Sequence, residues 1–214
     1  MHEVVIHGLG GHGRMVADLV GRLPGGHVVG GCDDGDGNLA GVPCWRDRTQ
    51  AVAACRAGAL LVVCIGDNRR RLEVMEWYRA QGAGLATLAH PGAWTATDAH
   101  LGRGTVVAAG AVIQAGARLG DGVIVNTCAS VDHDGVVGDG AHLAPGVRLC
   151  GGVQVGAMAL VGAGAVVLPG VRLGQACTIG AGAVVVRDVE AGMVVAGVPA
   201  RPLSKRRKMP RDGQ

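Results

Sequence analysis

The second half of the chain has an apolar residue at every sixth position. Divided from Leu101 onward, it gives fifteen hexapeptides whose first residue is always Leu, Ile or Val. The fifth residue is Ala seven times and Val five times, and Gly is frequent at the second. A six-residue period that runs for 90 residues without an insertion fits neither the 3.6-residue period of a helix nor a hairpin meander. The pattern therefore predicts a parallel β-helix.

Three hexapeptides form one turn of such a triangular prism, here called a coil, which contains 18 residues. Residues that are 18 positions apart then stack at about 4.8 Å, the spacing of neighbouring strands. We expect the first and fifth positions to point inward and the other positions to point outward. Fifteen hexapeptides give five coils.

The first half has a different pattern, in which short apolar runs alternate with segments of helical spacing. We predict strands at 4–7, 28–31, 60–65 and 85–88, and helices near 13–23, 48–57 and 69–81. The predicted organisation is an α/β Rossmann-like domain over residues 1–90, a β-helix over 91–203 and a basic, flexible tail over 204–214.

A glycine-rich turn follows the first predicted strand, with the sequence Gly8-Leu9-Gly10-Gly11-His12-Gly13. Its spacing is that of a dinucleotide-binding G-x-G-x-x-G, and Asp33 and Asp34 follow it. A dinucleotide fold needs a second mononucleotide half, which this short domain lacks. We therefore expect the turn to receive one nucleotide or its phosphates at a helix N-terminus. The alternative is a tight strand-to-helix turn without a ligand.

Composition supports a closely stacked backbone, because the chain has 39 Gly, no Phe and 17% charged residues.

The seven cysteines form no CxxC pair, which is typical of reduced thiols, and the first residues do not have the pattern of a signal peptide. We expect a cytoplasmic protein without a metal. The uncharged segment 149–171 is long enough to span a bilayer but follows the six-residue period. The basic tail is interpreted as a solvated terminus, so neither membrane insertion nor nucleic-acid binding is expected.

His133 is the strongest candidate for a catalytic residue. It occupies a third, outward position in the most polar coil, and Asp132 and Asp134 flank it. A carboxylate beside an imidazole orients the ring and raises its basicity, which suits a general base. Gly151 lies 18 positions later on the same face, where its backbone N–H is placed to polarise a carbonyl.

Cys128 and Cys150 are rival nucleophiles for a covalent mechanism. Counting by coils, neither thiol lies next to a histidine, since Cys150 stacks on Asp132 and Cys128 on Gly146. We interpret both cysteines as packing residues.

Several motifs together resemble one known family. They are Gly8 to Gly13 in the form G-x-x-G-H-G, Cys32-Asp33-Asp34, the Ile65-Gly-Asp-Asn68 loop, Val125-Asn126-Thr127, Val131-Asp132-His133-Asp134, the segment from Gly140 to Gly146, and the closing Ala196-Gly197-Val198-Pro199-Ala200. Nearly the whole chain is similar to the sugar acetyltransferases that include nucleotide-amino-sugar N-acetyltransferases and sialic-acid O-acetyltransferases. The resemblance implies a left-handed β-helix, acetyl-CoA as cosubstrate, and a homotrimer.

The resemblance also implies roles for individual residues. His133 is the base, with Asp134 as its partner. The nucleotide-sugar pocket would involve Gly10, Gly11, His12, Asp33, Asp34 and Gly66. Acetyl-CoA would lie near Asn126, His142, Gly151, Ala163 and Ala181.

From these features we expect an acetyl-CoA-dependent N-acetyltransferase that acts on a nucleotide-linked amino sugar by direct transfer, in the synthesis of a surface glycan. O-acetylation of a sialic-acid-like sugar and a nonenzymatic nucleotide-sugar-binding scaffold are the alternatives. His133 and His142 are nine residues apart, half a coil, and face opposite sides of one prism. If both serve one site, that site lies in a groove between chains.

Overall fold

The computed structural model describes residues 2–203; Met1 and the predicted tail at 204–214 lie outside the described residues. The elements of the first domain are β1 His2–His7, α1 Gly11–Arg22, β2 Gly26–Cys32, β3 Cys44–Trp45, α2 Arg48–Arg56, β4 Leu60–Val63 and α3 Asn68–Ala80. Its four strands form one sheet in the order β3-β2-β1-β4, with parallel pairs throughout. The three predicted helices are confirmed to within two residues. The short strand β3 was not predicted.

The helix starts in this domain differ in how they are capped. Asp47 accepts a hydrogen bond from the Thr49 amide at the start of α2, and Asp67 accepts one from the Arg70 amide at the start of α3. At the start of α1, Gly10 offers no side-chain cap, and the first turn contains no acidic residue. The amino end of α1 therefore keeps its backbone N–H groups for another acceptor.

The strand predicted at 85–88 is wrong as a fourth core strand of the first domain. Leu85 makes a single bridge to Leu61, whereas Leu88–Ala89 pairs with a strand of the β-helix. The β-helix thus begins two hexapeptides upstream of Leu101, at Leu88–Ala89. The repeat was counted only from Leu101, because Ala89 and Thr95 stand where later repeats have Leu, Ile or Val, and the predicted start at residue 91 lies a few residues after this strand.

The β-helix is left-handed and has three faces of parallel strands. Face 1 contains β5 Leu88–Ala89, β8 Val106–Val107, β11 Ile124–Val125, β14 His142–Leu143, β17 Leu160–Val161, β20 Thr178–Ile179 and β22 Val194–Ala196, with the antiparallel β23 Arg201–Pro202 at its edge. Face 2 contains β6 Trp94–Thr95, β9 Val112–Ile113, β12 Ser130–Val131, β15 Arg148–Leu149, β18 Val166–Val167 and β21 Val184–Val185. Face 3 contains β7 His100–Leu101, β10 Arg118–Leu119, β13 Val136–Val137, β16 Gln154–Val155 and β19 Arg172–Leu173.

The predicted register of the β-helix is confirmed. Ile124 pairs with His142 and Ser130 with Arg148, each pair 18 residues apart. From Val107 onward, every first position is buried, and every fifth position is buried as well. Leu101 is half-buried, because it lies in the first coils, where stacking is less complete. Branched and small apolar side chains therefore fill the prism, as the alternation of Leu, Ile or Val with Ala and Val predicts.

The first domain packs on face 1 through α3. Leu72 lies against Gly140 and Met75 against Gly122, where an added Cβ atom would come within 2.6 Å of each side chain. The outward residues Val106 and Ile124 of face 1 are buried as well, and Val106 packs in the same cluster as Leu19 of α1. Within residues 2–203, the structure has no helix of the length and hydropathy that a membrane span requires.

Candidate active site

His133 lies in the turn between β12 and β13, at the corner between faces 2 and 3. Its Nδ1 is 2.9 Å from Asp134 Oδ2, and its backbone N–H donates to Asp132 Oδ1 at 2.9 Å. The side chain is 65% exposed. Since Nδ1 donates its proton to the carboxylate, Nε2 keeps a free lone pair. The hydrogen bond to Asp134 raises the pKa of His133 above its usual value, as expected for a general base.

Asp134 occupies an unusual backbone conformation. Its φ is 59°, in the left-handed region that the fourth position of most hexapeptides fills with Gly. Asp tolerates this region better than most residues with a side chain. The carboxylate is thereby held beside His133 by a turn that the β-helix repeats at every corner.

Gly151 lies under the His133 ring, as coil counting predicted. A Cβ atom added at Gly151 would be 2.3 Å from His133 Nε2. Ala occupies the same third position elsewhere, at Ala115, Ala163 and Ala181, so the backbone there does not require Gly. Within the described chain, the Gly151 N–H has no acceptor, whereas the next amide, Gly152, donates to the His133 carbonyl at 2.9 Å. A free donor thus lies next to a free imidazole nitrogen.

His142 lies on face 1, against the first domain. Its Nε2 is 3.5 Å from Asn126 Nδ2, and the Thr127 amide donates to Asn126 Oδ1 at 2.8 Å, which fixes the orientation of the amide group. Burial and the charge of Arg71 lower the pKa of His142 to about 4, although a hydrogen bond to the Gly66 carbonyl acts in the opposite direction. His142 is therefore neutral at pH 7, with Nε2 as acceptor and Nδ1 as donor.

His12 belongs to the first turn of α1 and faces His142. Burial, followed by the charges of His142 and Arg71, lowers the pKa of His12 to about 4. Its Nε2 is buried and has no hydrogen-bond partner among residues 2–203. The structure thus brings His12, Gly66, Asn126 and His142 together within one chain, at the boundary between the domains.

The glycines of the first turn divide into two kinds. A Cβ atom at Gly13 would be 2.1 Å from the Gly8 carbonyl oxygen, and Gly8 has φ +96° and lies against the Cys64 carbonyl. These two glycines are required by the turn itself. Gly10 and Gly11 are exposed, and a Cβ atom at either would meet no described atom within 4 Å. Open space above Gly10 and Gly11 suits a ligand at the uncapped start of α1.

Asp33 and Asp34 have different environments. Asp33 Oδ2 accepts from the Leu9 amide at 2.6 Å, and Oδ1 accepts from the Gly35 amide at 2.8 Å. Burial acts to raise the pKa of Asp33, but these amide bonds outweigh it and leave the pKa lowered. Asp33 therefore ties the glycine turn to the end of β2.

Asp34 is held by two arginines. Its carboxylate is 2.5 Å from Arg48 and 3.2 Å from Arg70, and the hydrogen bond from Arg48 is the main cause of its lowered pKa. Arg48 lies over the Trp77 ring, 5.5 Å from its centroid. These side chains line an open pocket beside the end of β2.

Ala163 and Ala181 stack one coil apart at the corner between faces 1 and 2, and both are exposed. The Gly182 amide donates to the Ala163 carbonyl, which fixes their spacing. They form a surface of small side chains on which a ligand can approach the backbone closely.

Cys128 is also exposed, so its interpretation as a packing residue is wrong, while Cys150 is half-buried.

The predicted catalytic residues and the pair of Asn126 and His142 therefore form two separate groups in one chain. His133, Asp134 and Gly151 lie at the corner between faces 2 and 3. Asn126 and His142 lie on face 1, with His12 and Gly66 above them. In a triangular prism, a corner lies opposite the face that it does not bound, so the two groups are on opposite sides.

Sequence reasoning missed Arg48, Arg70 and Arg71. The buried residues of α3 are Arg71, Val74, Met75 and Tyr78, a helical spacing of three, four and seven. An arginine on the apolar stripe of a helix was the available signal for Arg71. Arg48 and Arg70 carried no signal, because their pairing with Asp34 joins distant segments.

Two family models match the chain. Residues 3–78 match the PglD N-terminal domain, and residues 152–187 match the bacterial transferase hexapeptide (six repeats). The acetyltransferase domain of PglB from Neisseria gonorrhoeae FA1090 is 39% identical, with 95% of this chain and 100% of that chain covered and a TM-score of 0.88. The chain belongs to the PglD-type family of hexapeptide-repeat sugar N-acetyltransferases. The resemblance inferred from the sequence is confirmed, and this family member is an acetyltransferase.

Further solved structures are similar to this chain, and some of them contain ligands. The same PglB domain has been solved with acetyl coenzyme A, at a TM-score of 0.90. PerB from Caulobacter crescentus, solved with CoA and GDP-perosamine, is 39% identical, covers 95% of this chain and 98% of its own, and has a TM-score of 0.90. WeeI from Acinetobacter baumannii AYE, at 23% identity and a TM-score of 0.85, shares the fold. No curated protein matches the chain.

Proposed function

We propose that this enzyme transfers an acetyl group from acetyl-CoA to the amino group of a nucleotide-linked amino sugar, with His133 as general base. The observation that carries the proposal is the free Nε2 of His133 above the free N–H of Gly151, with Asp134 holding Nδ1. The ligands of the two relatives support the substrate class, since one was solved with acetyl coenzyme A and the other with CoA and GDP-perosamine. Two further PerB structures are variants of a single histidine, with Asn or Ala in its place.

Acetyl-CoA supplies the acetyl group as a thioester. The Gly151 N–H donates to the acetyl carbonyl oxygen, where negative charge develops. His133 Nε2 accepts the proton of the sugar amine as its nitrogen bonds to the carbonyl carbon, and the C–S bond breaks. The same nitrogen then returns the proton to the CoA sulfur, and direct attack needs no cysteine nucleophile.

The first domain is proposed to hold the nucleotide. Gly10 and Gly11 offer backbone N–H groups at the uncapped start of α1, where a diphosphate is favoured by the helix dipole. His12 and Gly66 lie beside this turn, and Asp33 and Asp34 lie at the end of β2. Because Asp34 is paired with Arg48 and Arg70, this part of the pocket presents both signs of charge to a base or ribose.

The β-helix is proposed to hold acetyl-CoA along small residues. Gly151 lies at one corner, and Ala163 and Ala181 lie at another, with Asn126 and His142 on the adjoining face. A corner and a face on opposite sides of one prism fit a single ligand only when two chains meet. The proposal therefore includes a groove with His133 from one chain and Asn126 and His142 from the next.

Face 2 supports this packing, because it joins the corner that carries Gly151 to the corner that carries Ala163 and Ala181. Its outward residues include Val112, Val166, Val184 and Trp94, the last of which is 64% exposed. Burial of such a surface against copies of itself would place the two corners of neighbouring chains side by side. Three-fold cyclic symmetry creates three equivalent grooves, so we propose a homotrimer.

The test is incubation of the enzyme with acetyl-CoA and a panel of UDP-, GDP- and dTDP-linked amino sugars, with free sialic acid as the second acceptor class. Release of CoA with an N-acetylated sugar supports the proposal and names the nucleotide. Acetylation of sialic acid alone would replace it with O-acetylation. Binding of a nucleotide sugar without transfer would indicate a nonenzymatic role.

A further inference from the structure

Arg71 is a fully buried cation at the boundary between the two domains. Its side chain lies between the 65–66 loop of the first domain and the turns of face 1. Nε donates to the Gly122 carbonyl at 2.9 Å, and Nη2 donates to the Gly140 carbonyl at 2.7 Å. On the other side, Nη1 donates to the Ile65 carbonyl at 2.8 Å. One guanidinium therefore connects the two domains through three backbone carbonyls.

Asn68 extends the same connection. Its Oδ1 accepts from Arg71 Nη2 at 2.9 Å, and its Nδ2 donates to the Met158 carbonyl at 3.0 Å and the Ala159 carbonyl at 3.1 Å. The start of α3 is thus attached to turns in three successive coils, at Gly122, Gly140 and Met158. These turns are 18 residues apart and stack along one edge of the prism.

A buried arginine without a carboxylate partner needs an explanation beyond packing. No described Asp or Glu lies within 4.0 Å of the Arg71 guanidinium. Burial of a charge without such a partner disfavours folding, and apolar residues generally fill such space with less desolvation. Met75 and Leu72 already supply apolar contact on either side. Arg71 therefore differs from an apolar residue of similar volume in the several N–H donors of its planar guanidinium group.

We propose that Arg71 is a positioning residue for the active site, because it sets the spacing between the Gly66 carbonyl and the strand that begins with His142. Arg71 binds the loop that ends in Gly66 and the turn that ends two residues before His142. The His142 ring lies between these two attachments and contacts Asn126 and the Gly66 carbonyl. The inference rests on the proposed function only where it assigns His142 to the acetyl-transfer groove.

The charge of Arg71 has a second effect on the same ring. The groups that face His142 are Arg71 from α3, His12 from α1, the neutral Asn126 amide and the Gly66 carbonyl. Burial and the Arg71 charge lower the pKa of His142, and Arg71 also lowers the pKa of His12. Arg71 itself stays charged at pH 7, because burial lowers its pKa only to about 10. Both imidazoles are therefore neutral, and His142 Nε2 remains an acceptor.

The experiment compares Arg71→Met, Arg71→Lys and the control Met75→Ala. The His142 pKa is measured by NMR titration of labelled histidine in the full chain without substrates, and the signal is assigned with His142→Asn. We expect the His142 pKa to rise by about one unit or more in Arg71→Met, because a cation within reach of the ring is removed. Arg71→Lys keeps the charge and should leave the pKa close to that of the wild type.

Acetyl transfer is measured on the same variants. We expect kcat to fall roughly tenfold to a hundredfold in Arg71→Met. The loss should be smaller in Arg71→Lys, which retains the charge but not the planar guanidinium group with its several donors. Met75→Ala removes apolar contact between the domains, so it should lower Tm and keep the wild-type kcat. If Arg71→Met does not fold, Arg71→Lys decides the question. A wild-type kcat in folded Arg71→Lys would then contradict the proposal.

Two results would overturn the inference. One is a His142 pKa in Arg71→Met equal to that of the wild type. The other is an equal loss of kcat in Met75→Ala, which would reduce Arg71 to packing. Since the titration uses no substrate, its outcome does not depend on which sugar is acetylated, so a failure here is distinguishable from a failure of the proposed function.

Discussion

The His133 ring lies directly over Gly151, so closely that a Cβ atom at Gly151 would come within 2.3 Å of Nε2. The two residues are one coil apart, and the amide of the neighbouring Gly152 donates to the His133 carbonyl. The His133 side chain is otherwise largely exposed. Gly151 thus provides the space in which the imidazole rests, and its N–H has no acceptor among the described residues.

Gly151→Ala should displace His133 while leaving the fold intact. The backbone N–H is retained and Ala is found at equivalent third positions, so the change acts on the ring and not on the turn. We expect kcat to fall about tenfold or more, with a change in Tm of about 2 °C or less. The control is Gly21→Ala, at a position where a Cβ atom meets no described atom within 4 Å. Wild-type kcat in Gly151→Ala would contradict the close placement of the ring.

His133→Ala and His133→Asn should abolish most acetyl transfer. An exposed side chain contributes little to packing, so stability and acetyl-CoA binding should remain near wild type. We expect kcat to fall roughly 10²-fold or more, the usual effect of losing a general base. His100→Ala, an exposed histidine on face 3, serves as the control and should be fully active. Near-normal turnover of either His133 variant at pH 7.5 would remove this residue from the mechanism.

Asp134→Asn should cost less activity than His133→Ala and should change the pH profile. The hydrogen bond that His133 Nδ1 donates to Asp134 raises the pKa of His133, and the base works only when deprotonated. Rates are therefore lost as the pH falls through the raised pKa. Loss of the carboxylate lowers that pKa, so the acidic limb of kcat/KM should move to lower pH with a reduced plateau. Asn tolerates the left-handed φ of this position, and Tm should change little. An unmoved acidic limb would refute the pairing.

Mixed oligomers test the groove between chains. His133→Ala and His142→Ala, each impaired alone, are co-refolded in equal amounts. If the groove takes His133 from one chain and His142 from the next, random assembly leaves about a quarter of the grooves with both intact histidines. Activity should reappear at about that fraction. Mass spectrometry checks that mixed trimers form, and mixed trimers without activity would show that the two histidines do not share a site.

The glycine turn gives a matched set of substitutions in one helix. Gly13→Ala should destabilise the protein by about 3 kcal/mol, because the new methyl group meets the Gly8 carbonyl oxygen at 2.1 Å. Gly21→Ala, in the same helix, should stabilise it by about 0.5–1 kcal/mol.

Gly10→Ala meets no described atom and should leave Tm unchanged. If a nucleotide diphosphate approaches this backbone, the KM for the nucleotide sugar should rise roughly tenfold, a loss of about 1.4 kcal/mol. An unaltered KM would favour a turn without a ligand.

The sequence by itself determined the β-helix, its register and its inward positions, since the repeat is local and each hexapeptide buries the same two positions. It also determined that His133 stacks on Gly151 and that His133 and His142 face opposite sides of one prism, because both relationships follow from counting coils. The three helices of the first domain followed from their apolar spacing. Upstream of Leu101 the six-residue repeat was not detected. The pattern required Leu, Ile or Val at the first, inward position, and Ala89 and Thr95 occupy that position instead.

Only the tertiary structure decided how the first domain lies on the β-helix. That contact joins residues such as Arg71 and Gly140, which are far apart in sequence and belong to patterns of different period, so no local repeat relates them. The neutral state of His142 and the buried Nε2 of His12 depend on this packing. The pairing of Asp34 with Arg48 and Arg70 depends instead on how distant segments of the first domain fold together. A charged side chain on an apolar helical stripe becomes interpretable only when the carbonyl groups that surround it are known, because burial and hydrogen bonding are properties of the assembled chain.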